Sequence, residues 1–468
     1  MNINELILYA NIAGDEAAGH AAALFTQNAD VGSGTDLADA IAGQACHPLA
    51  SPSEGGASRW TLLQRAMASE IGHETVRATY WQNHLCALVC SSDNPFSRAA
   101  ERGAYAPLEG LAGSKDILGA IGGLSETAAG LLKLATEELA LIKKMYAWDF
   151  ASAPGAPSGA GAGGGNIASL MASPKATPLP KGGTRRGRVH EALARGDGLA
   201  SAVKLAAYYR SCGAGALEAY DSFYWDGGFR GVTSRDPIRF EDLIGVERQT
   251  AALVENTEFL LAGLPASNIL LYGDAGTGKS SSVKALINEY AGSGLKLVAI
   301  PKARIAELPS VLAAVSERGL KFILFIDDLS FEENESTYKS FKSVIEGGVS
   351  ARPSNAVICV TSNRRNIVKE VWKDREHQDD IHLRDNLQEK RSLSDRFGLT
   401  IVYSSPDKGE YLAIVEGLAA RAELGMGENE LKAAALTWEL RHGGRSGRTA
   451  RQFVEYMKGH EALAEGNK

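Results

Sequence analysis

Residues 273–280 read Gly-Asp-Ala-Gly-Thr-Gly-Lys-Ser, and the residues on either side limit the fold. Ahead lies an apolar run, Ile269-Leu270-Leu271-Tyr272, and behind it a helix-forming stretch from Ser281 to Tyr290. A strand that delivers a Gly-rich loop to a helix N-terminus builds a cradle for polyphosphate. Loop N–H groups and the helix dipole both favour anionic oxygens there. Gly273, Gly276 and Gly278 let the backbone turn and come close to the phosphates. In such a loop Lys279 reaches the β and γ phosphates and the Ser280 hydroxyl ligates Mg²⁺. Asp274, Ala275, Thr277 and Ser281 complete the phosphate-binding run. A chance Gly-rich turn would not carry both flanks.

The chain around this loop alternates short strands with helices. Apolar runs at 268–272, 295–300, 322–326, 356–361 and 400–403 have strand length, and helical stretches at 280–291, 303–317 and 335–346 separate the first four. Buried strands alternating with helices mean a parallel sheet covered on both faces, with ligands at the carboxyl ends of the strands. The expected fold class is therefore α/β, a P-loop sheet over 237–405. Three further helices, at about 407–421, 428–440 and 447–459, form a lid spanning 406–468.

Residues 1–150 have a mostly helical pattern, clearest from Ser125 to Trp148, where Leu131, Leu132, Leu134, Leu139, Ile142 and Met145 make an apolar face. No catalytic constellation stands out there, and His20, His47, His73 and His84 are scattered. Fifteen of the sixteen residues at 151–166 are Ala, Ser, Pro or Gly, too little apolar surface to order a segment. We expect a flexible linker over 151–188, ending in the basic run Arg185-Arg186-Gly187-Arg188. A helical connector is expected over 189–236, its Tyr208, Tyr209, Tyr220, Phe223, Tyr224 and Trp225 forming a packing face.

The third strand of the core ends Phe325-Ile326-Asp327-Asp328, and Asp327 follows Lys279 by 48 residues. Two acids at the tip of a buried strand suit phosphoryl chemistry: Asp327 in the Mg²⁺ shell, Asp328 orienting the attacking water. The next strand ends Thr361-Ser362-Asn363, where the Asn363 amide can reach the γ-phosphate or that water. Arg396, within Ser394-Asp395-Arg396-Phe397-Gly398, precedes the last strand, points away from its own loop, and can complete a neighbouring subunit's site as an arginine finger. Arg448 opens the last lid helix and can fold down on the phosphates, with Arg451 as the runner-up.

This ordered set resembles the AAA+ ATPases: P-loop, Walker B, sensor 1, arginine finger and sensor 2. The stretch Phe240-Glu241-Asp242-Leu243-Ile244-Gly245-Val246-Glu247 looks like the AAA+ segment that lies against adenine, which implicates Ile244 and Gly245. More narrowly, Gly276–Ser281, Phe325–Phe331, Thr361–Arg365 and Ser392–Gly398 resemble a bacterial AAA+ family known as domain of unknown function 815. The resemblance covers roughly residues 200–460 and implies an ATP-binding module. Most AAA+ members carry Glu where this chain has Asp328. Asp is one methylene shorter, so slow basal turnover is expected, with Glu332 or Glu333 able to compensate.

Other classes fit less well. A GTPase needs an Asn-Lys-x-Asp reader, which is absent from the sequence. A small-molecule P-loop kinase needs neither Asn363 nor the Ser-Asp-Arg-Phe-Gly element. A threading unfoldase presents an aromatic loop after its second strand, and Lys302 to Leu320 contains no aromatic residue. A nucleic-acid loader would use Arg364, Arg365 or the 185–188 run; the net charge of −7 disfavours it. The five cysteines, Cys46, Cys86, Cys90, Cys212 and Cys359, form no disulfide or zinc pattern and suit a reducing compartment. No apolar run approaches a membrane span, and a cytoplasmic setting is expected. The expectation is an ATP- and Mg²⁺-dependent ATPase working as a homo-oligomer on an unidentified macromolecular client. The competing reading is an ATP-gated assembly scaffold with little turnover.

Overall fold

Strands buried on both faces need nearly continuous apolar runs, and Phe322–Ile326 and Ala356–Val360 supply them. The structure, a computed structural model, describes residues 8, 10, 78–147, 185–330, 336–345, 353–363 and 396–466. Glu332, Glu333, Arg364, Arg365, Ser392–Asp395, Cys46, His20, His47, His73 and the 151–166 run lie outside the described residues. The chain divides into two compact units, Met1–Glu218 and Ala219–Lys468.

The second unit holds a seven-stranded sheet. Its strands are β1 (Ser222–Trp225), β2 (Phe229–Gly231), β3 (Ile269–Gly273), β4 (Leu295–Ala299), β5 (Lys321–Ile326), β6 (Ala356–Ser362) and β7 (Leu399–Tyr403). They lie in the order β2-β1-β4-β5-β6-β3-β7, parallel throughout except where β2 pairs with β1. From β3 the chain crosses over β6 and β5 to reach β4, while β7 lies on β3's other side. That reversal opens a crevice at the carboxyl ends of the strands, where doubly wound sheets bind ligands. The fold is the expected P-loop α/β sheet with a helical lid.

The lid comprises the helices Lys408–Arg421, Glu428–Arg441 and Gly447–Gly466. Tyr411, Val415, Leu431, Ala435, Phe453 and Val454 form its own buried core. Asp407 caps the first helix by a reciprocal box: its carboxylate accepts from Glu410 N at 2.8 Å, and Glu410 Oε2 accepts from Asp407 N at 2.8 Å.

Three expectations change. First, residues 222–231 are not helical but a β-ribbon that extends the sheet beyond β4. Short aromatic strands carry too few residues for period two to show against period 3.6. The aromatic set is accordingly split: Tyr208 and Tyr209 are buried in the first unit, Phe223 and Trp225 in the second. Second, a helix occupies Arg185–Ala194, so the basic run opens a helix instead of ending a loose linker. Arg188 has work there: its Nη2 donates to Cys212 Sγ at 3.4 Å, and its guanidinium lies 5.7 Å from the Tyr208 ring centroid. Third, the helix expected at 303–317 is a 3₁₀ segment, Lys302–Glu307, followed by a helix at Leu308–Ser316. Pro309 has no N–H and is tolerated only in a first turn, so the α-helix restarts there.

The first unit is helical where described. Its Glu126–Tyr146 helix begins at the Ser125 cap and buries Leu132, Leu139, Ile142 and Met145. Cys86 and Cys90 are buried, with their sulfurs 3.9 Å apart.

A buried ion pair fixes the added ribbon to the sheet. Lys296 on β4 is fully buried, and its Nζ donates to Tyr220 O at 2.8 Å and to Asp221 Oδ1 at 3.0 Å. Arg235 lies 3.3 Å from the other Asp221 oxygen. Beyond β4 the ribbon also holds the 3₁₀ segment: Trp225 Nε1 donates to Glu307 Oε2 at 2.8 Å, and Arg304 pairs with Asp226.

Candidate functional site

The P-loop owes its path to backbone crowding. At Gly273, φ is +145°, and a Cβ there would fall 1.7 Å from Tyr403 O on β7. Only glycine fits. We expect Gly273→Ala to lose nucleotide binding and to lower the thermal midpoint, which a calorimetric scan with and without ATP would read. Gly276 and Gly278 also have positive φ, +78° and +101°. Just past them Lys279 starts the helix Lys279–Tyr290.

Lys279 is only 7% exposed. Its Nζ donates to Gly273 O at 2.8 Å, Asp274 O at 2.6 Å and Asn363 Oδ1 at 3.1 Å. Burial lowers its pKa, while the carboxylates of Asp274, Asp328 and Asp327 oppose that shift. The amine is thus held by three oxygens at the loop's mouth.

Strand register brings the acids and amides together. β5 pairs Ile326 with Val360, so Asp327 stands beside Thr361; β3 pairs Tyr272 with Ser362, so Gly273 stands beside Asn363. Thr361 and Asn363 are two apart on one strand end and share a face. Ser280 Oγ donates to Asp327 Oδ1 at 2.6 Å, and Thr361 Oγ1 donates to the same oxygen at 2.6 Å. Asn363 Nδ2 donates to Asp328 Oδ1 at 2.7 Å. Asp328 itself adopts φ +49°, a left-handed conformation in which Asp and Asn are enriched.

These residues border a cavity of about 650 Å³. The P-loop from Ala275 to Ser281, Asp327, Asp328 and Asn363 form one side. Ile244, Gly245, Val246, Pro406, Ile414 and Leu418 form an apolar end. Ile244 packs closely on the lid, since a Cβ on Gly417 would fall 2.3 Å from its Cδ1. Arg421 of the lid pairs with Asp242 at 2.8 Å. Arg448 and Arg451 both line the cavity from the last lid helix, and Arg448 N donates to Gly276 O at 3.2 Å.

Two expected residues stand apart from this cluster. Arg396 is exposed in the turn before β7 and does not line the cavity. β7 runs parallel to β3 with Leu399 beside Ile269 and Tyr403 beside Gly273, so Arg396 sits at the opposite end of the strand. The four residue-to-residue steps of β7 alone separate it from its own P-loop by about 13 Å. Asp274, although in the loop, is exposed and turns away from the cavity lining toward Ser405. Its Oδ2 accepts from Ser405 Oγ at 2.7 Å and Ser405 N at 3.1 Å, and these bonds depress its pKa.

Reading the sequence residue by residue missed Ser405, the partner of Asp274, and Thr361, Glu410, Gln452 and Glu455, which line the cavity. Thr361 had a signal: it lies two residues before Asn363 on the same strand end. The others had none, because lid residues become neighbours of the loop only through the folded chain path.

Among the described residues no helix is long and apolar enough to cross a membrane. The chain is similar in structure to Thermotoga maritima RuvB, a Holliday junction branch migration motor. The identity is 15% over 49% of this chain and 67% of that one, and the TM-score is 0.34. A mutant of the same Thermotoga protein gives 14% identity over 50% and 68%, with a TM-score of 0.35. No curated protein matches the chain. Residues 218–461 match the model of the family described as Protein of unknown function (DUF815). That match spans more than half of the chain and coincides with the P-loop sheet and its lid, so the chain belongs to the DUF815 family.

Proposed function

We propose that the protein binds and hydrolyses Mg-ATP as an oligomer and uses that cycle to remodel or regulate a macromolecular client. The observation that carries this reading is the bonded set Ser280–Asp327–Thr361 and Lys279–Asn363–Asp328 at the mouth of one cavity. The donor set suits a hard divalent cation: Ser280 Oγ and Asp327 Oδ1 offer oxygen only. Among the described residues no group of three or more His, Cys, Asp or Glu could hold a metal by itself. That sparse set matches Mg²⁺, which takes one or two protein ligands and completes its shell with substrate phosphates and water. Ser280 and Asp327 would hold Mg²⁺, which when bound would supply neutralisation of the β- and γ-phosphate charge.

The chain's own groups do the rest. Loop amides from Gly276 to Ser280 and the helix N-terminus hold the phosphates. Lys279 supplies a localised positive charge. The apolar end formed by Ile244, Ile414 and Leu418 suits the faces of adenine. Asp328 accepts a hydrogen bond from the attacking water and aligns it, and the Asn363 amide fixes the carboxylate's direction. Arg448 covers the phosphates from the lid. Arg396, too far from its own loop, acts on the neighbouring subunit's site, which makes the oligomer the active form.

The engagement of Asp328 by Asn363 also supports a second reading, a nucleotide-gated scaffold that assembles with ATP and turns over little. Phosphate release per subunit against protein concentration separates the two. The enzyme reading expects a rise with assembly, whereas flat, negligible release despite ATP-driven assembly sinks it. Lys279→Ala is expected to remove nucleotide binding in both cases. Asp328→Asn is expected to keep binding and stall turnover, and so to hold the client in a pulldown with excess ATP.

A further inference from the structure

We propose that Thr361 is a positioning residue for both acids of the site; this rests on the ATPase reading above. A threonine hydroxyl has one hydrogen to give and lone pairs to accept with. Thr361 uses both. It donates to Asp327 Oδ1 at 2.6 Å and accepts from Asp328 N at 2.8 Å. One buried oxygen, on a residue 1% exposed, therefore sets the carboxylate that faces Ser280 and the backbone of the acid that faces the water.

The second contact has a particular task. Asp328 sits at φ +49°, where most residues are disfavoured and even Asp needs its surroundings to hold it. The Thr361 hydroxyl takes its amide, and the next residue is held twice: Leu329 N donates to Thr361 O at 2.8 Å, and Ser362 Oγ donates to Leu329 O at 3.0 Å. The left-handed turn aims the Asp328 carboxylate at Asn363. The first contact acts on the metal side. Oδ1 of Asp327 receives hydroxyls from Ser280 and Thr361, so its rotation is fixed from two sides. Outer-shell partners of this kind orient a metal-binding carboxylate.

Thr361→Val keeps the shape and removes the hydroxyl, while Thr361→Ser keeps the hydroxyl and removes the methyl. In the full-length chain, a fluorescent ATP analogue titrated without divalent cation should bind Thr361→Val and the parent alike. The Mg²⁺ concentration that half-saturates tightening of the complex should rise about tenfold in Thr361→Val. Turnover should fall by about 10–100-fold, with KM for Mg-ATP little changed. Thr361→Ser should track the parent in both measurements. Parent-like Mg²⁺ dependence in a folded Thr361→Val overturns the proposal. So does Thr361→Ser as impaired as Thr361→Val, since packing of the methyl would then be the cause. If Thr361→Val does not fold, the serine variant alone decides, parent-like behaviour supporting the hydroxyl's role and a Mg²⁺ defect refuting it. A parent chain that releases no phosphate sinks the enzymatic reading and leaves the Mg²⁺ titration to judge Thr361.

Discussion

Arg396→Ala is expected to lower ATP turnover by about a thousandfold or more while leaving nucleotide affinity essentially unchanged, the signature of a finger that meets only the developing charge of the transition state. The geometry behind this is the end-to-end separation on β7: Tyr403 lies beside the P-loop and Arg396 at the far end of the same strand. A side chain placed there does not reach its own P-loop, so it acts on a neighbouring copy's site or outside the reaction. Mixing resolves which. Arg396→Ala subunits keep an intact P-loop, and Lys279→Ala subunits keep an intact finger. Each is expected to be nearly silent alone, and the mixture should recover part of the parent rate through composite sites. A mixture as silent as its components would place Arg396 outside the reaction.

The second large effect concerns stability. Asp221→Ala leaves the fully buried Lys296 ammonium without its carboxylate, and breaking a buried pair from one side costs about 3–5 kcal/mol. Lys296→Met is milder, because Asp221 keeps Arg235 at 3.3 Å and methionine fills the space. In the double variant the isolated ammonium is gone, so much of the loss should be recovered. Denaturant midpoints of the parent, both single variants and the double variant close the cycle. Equal, additive losses of under 1 kcal/mol would show that the pair contributes little and that strand pairing alone secures the ribbon.

What could be read from the sequence is what is contiguous in it. The P-loop string, its strand and its helix lie within about twenty residues, and the acids of β5 sit at the end of an unbroken apolar run. Strand alternation then fixed the sheet class, because few other arrangements bury such runs. Thr361 escaped because its partners depend on register: it meets Asp327 only when Ile326 lies beside Val360, and a shift of one residue would turn it to the other face. The β1–β2 ribbon escaped because four- and three-residue strands leave no period to detect, and its anchor, Lys296, looks like an ordinary polar residue on an alternating strand. Arg186 and Arg188 are exposed, as charge usually is, but the helix they open escaped because the Pro- and Gly-rich stretch before it hid its start.

The bond between Asp274 and Ser405 sets where leverage can act. Ser405 lies between the end of β7 and the first lid helix, so the fulcrum of the lid is fastened to the second residue of the phosphate loop. The helix that follows it, Lys408–Arg421, is fourteen residues long, about 21 Å. A tilt of about 5° at the fulcrum moves its far end by about 2 Å. Under the proposed ATP cycle, a small adjustment of the loop would therefore be magnified at the lid's outer rim.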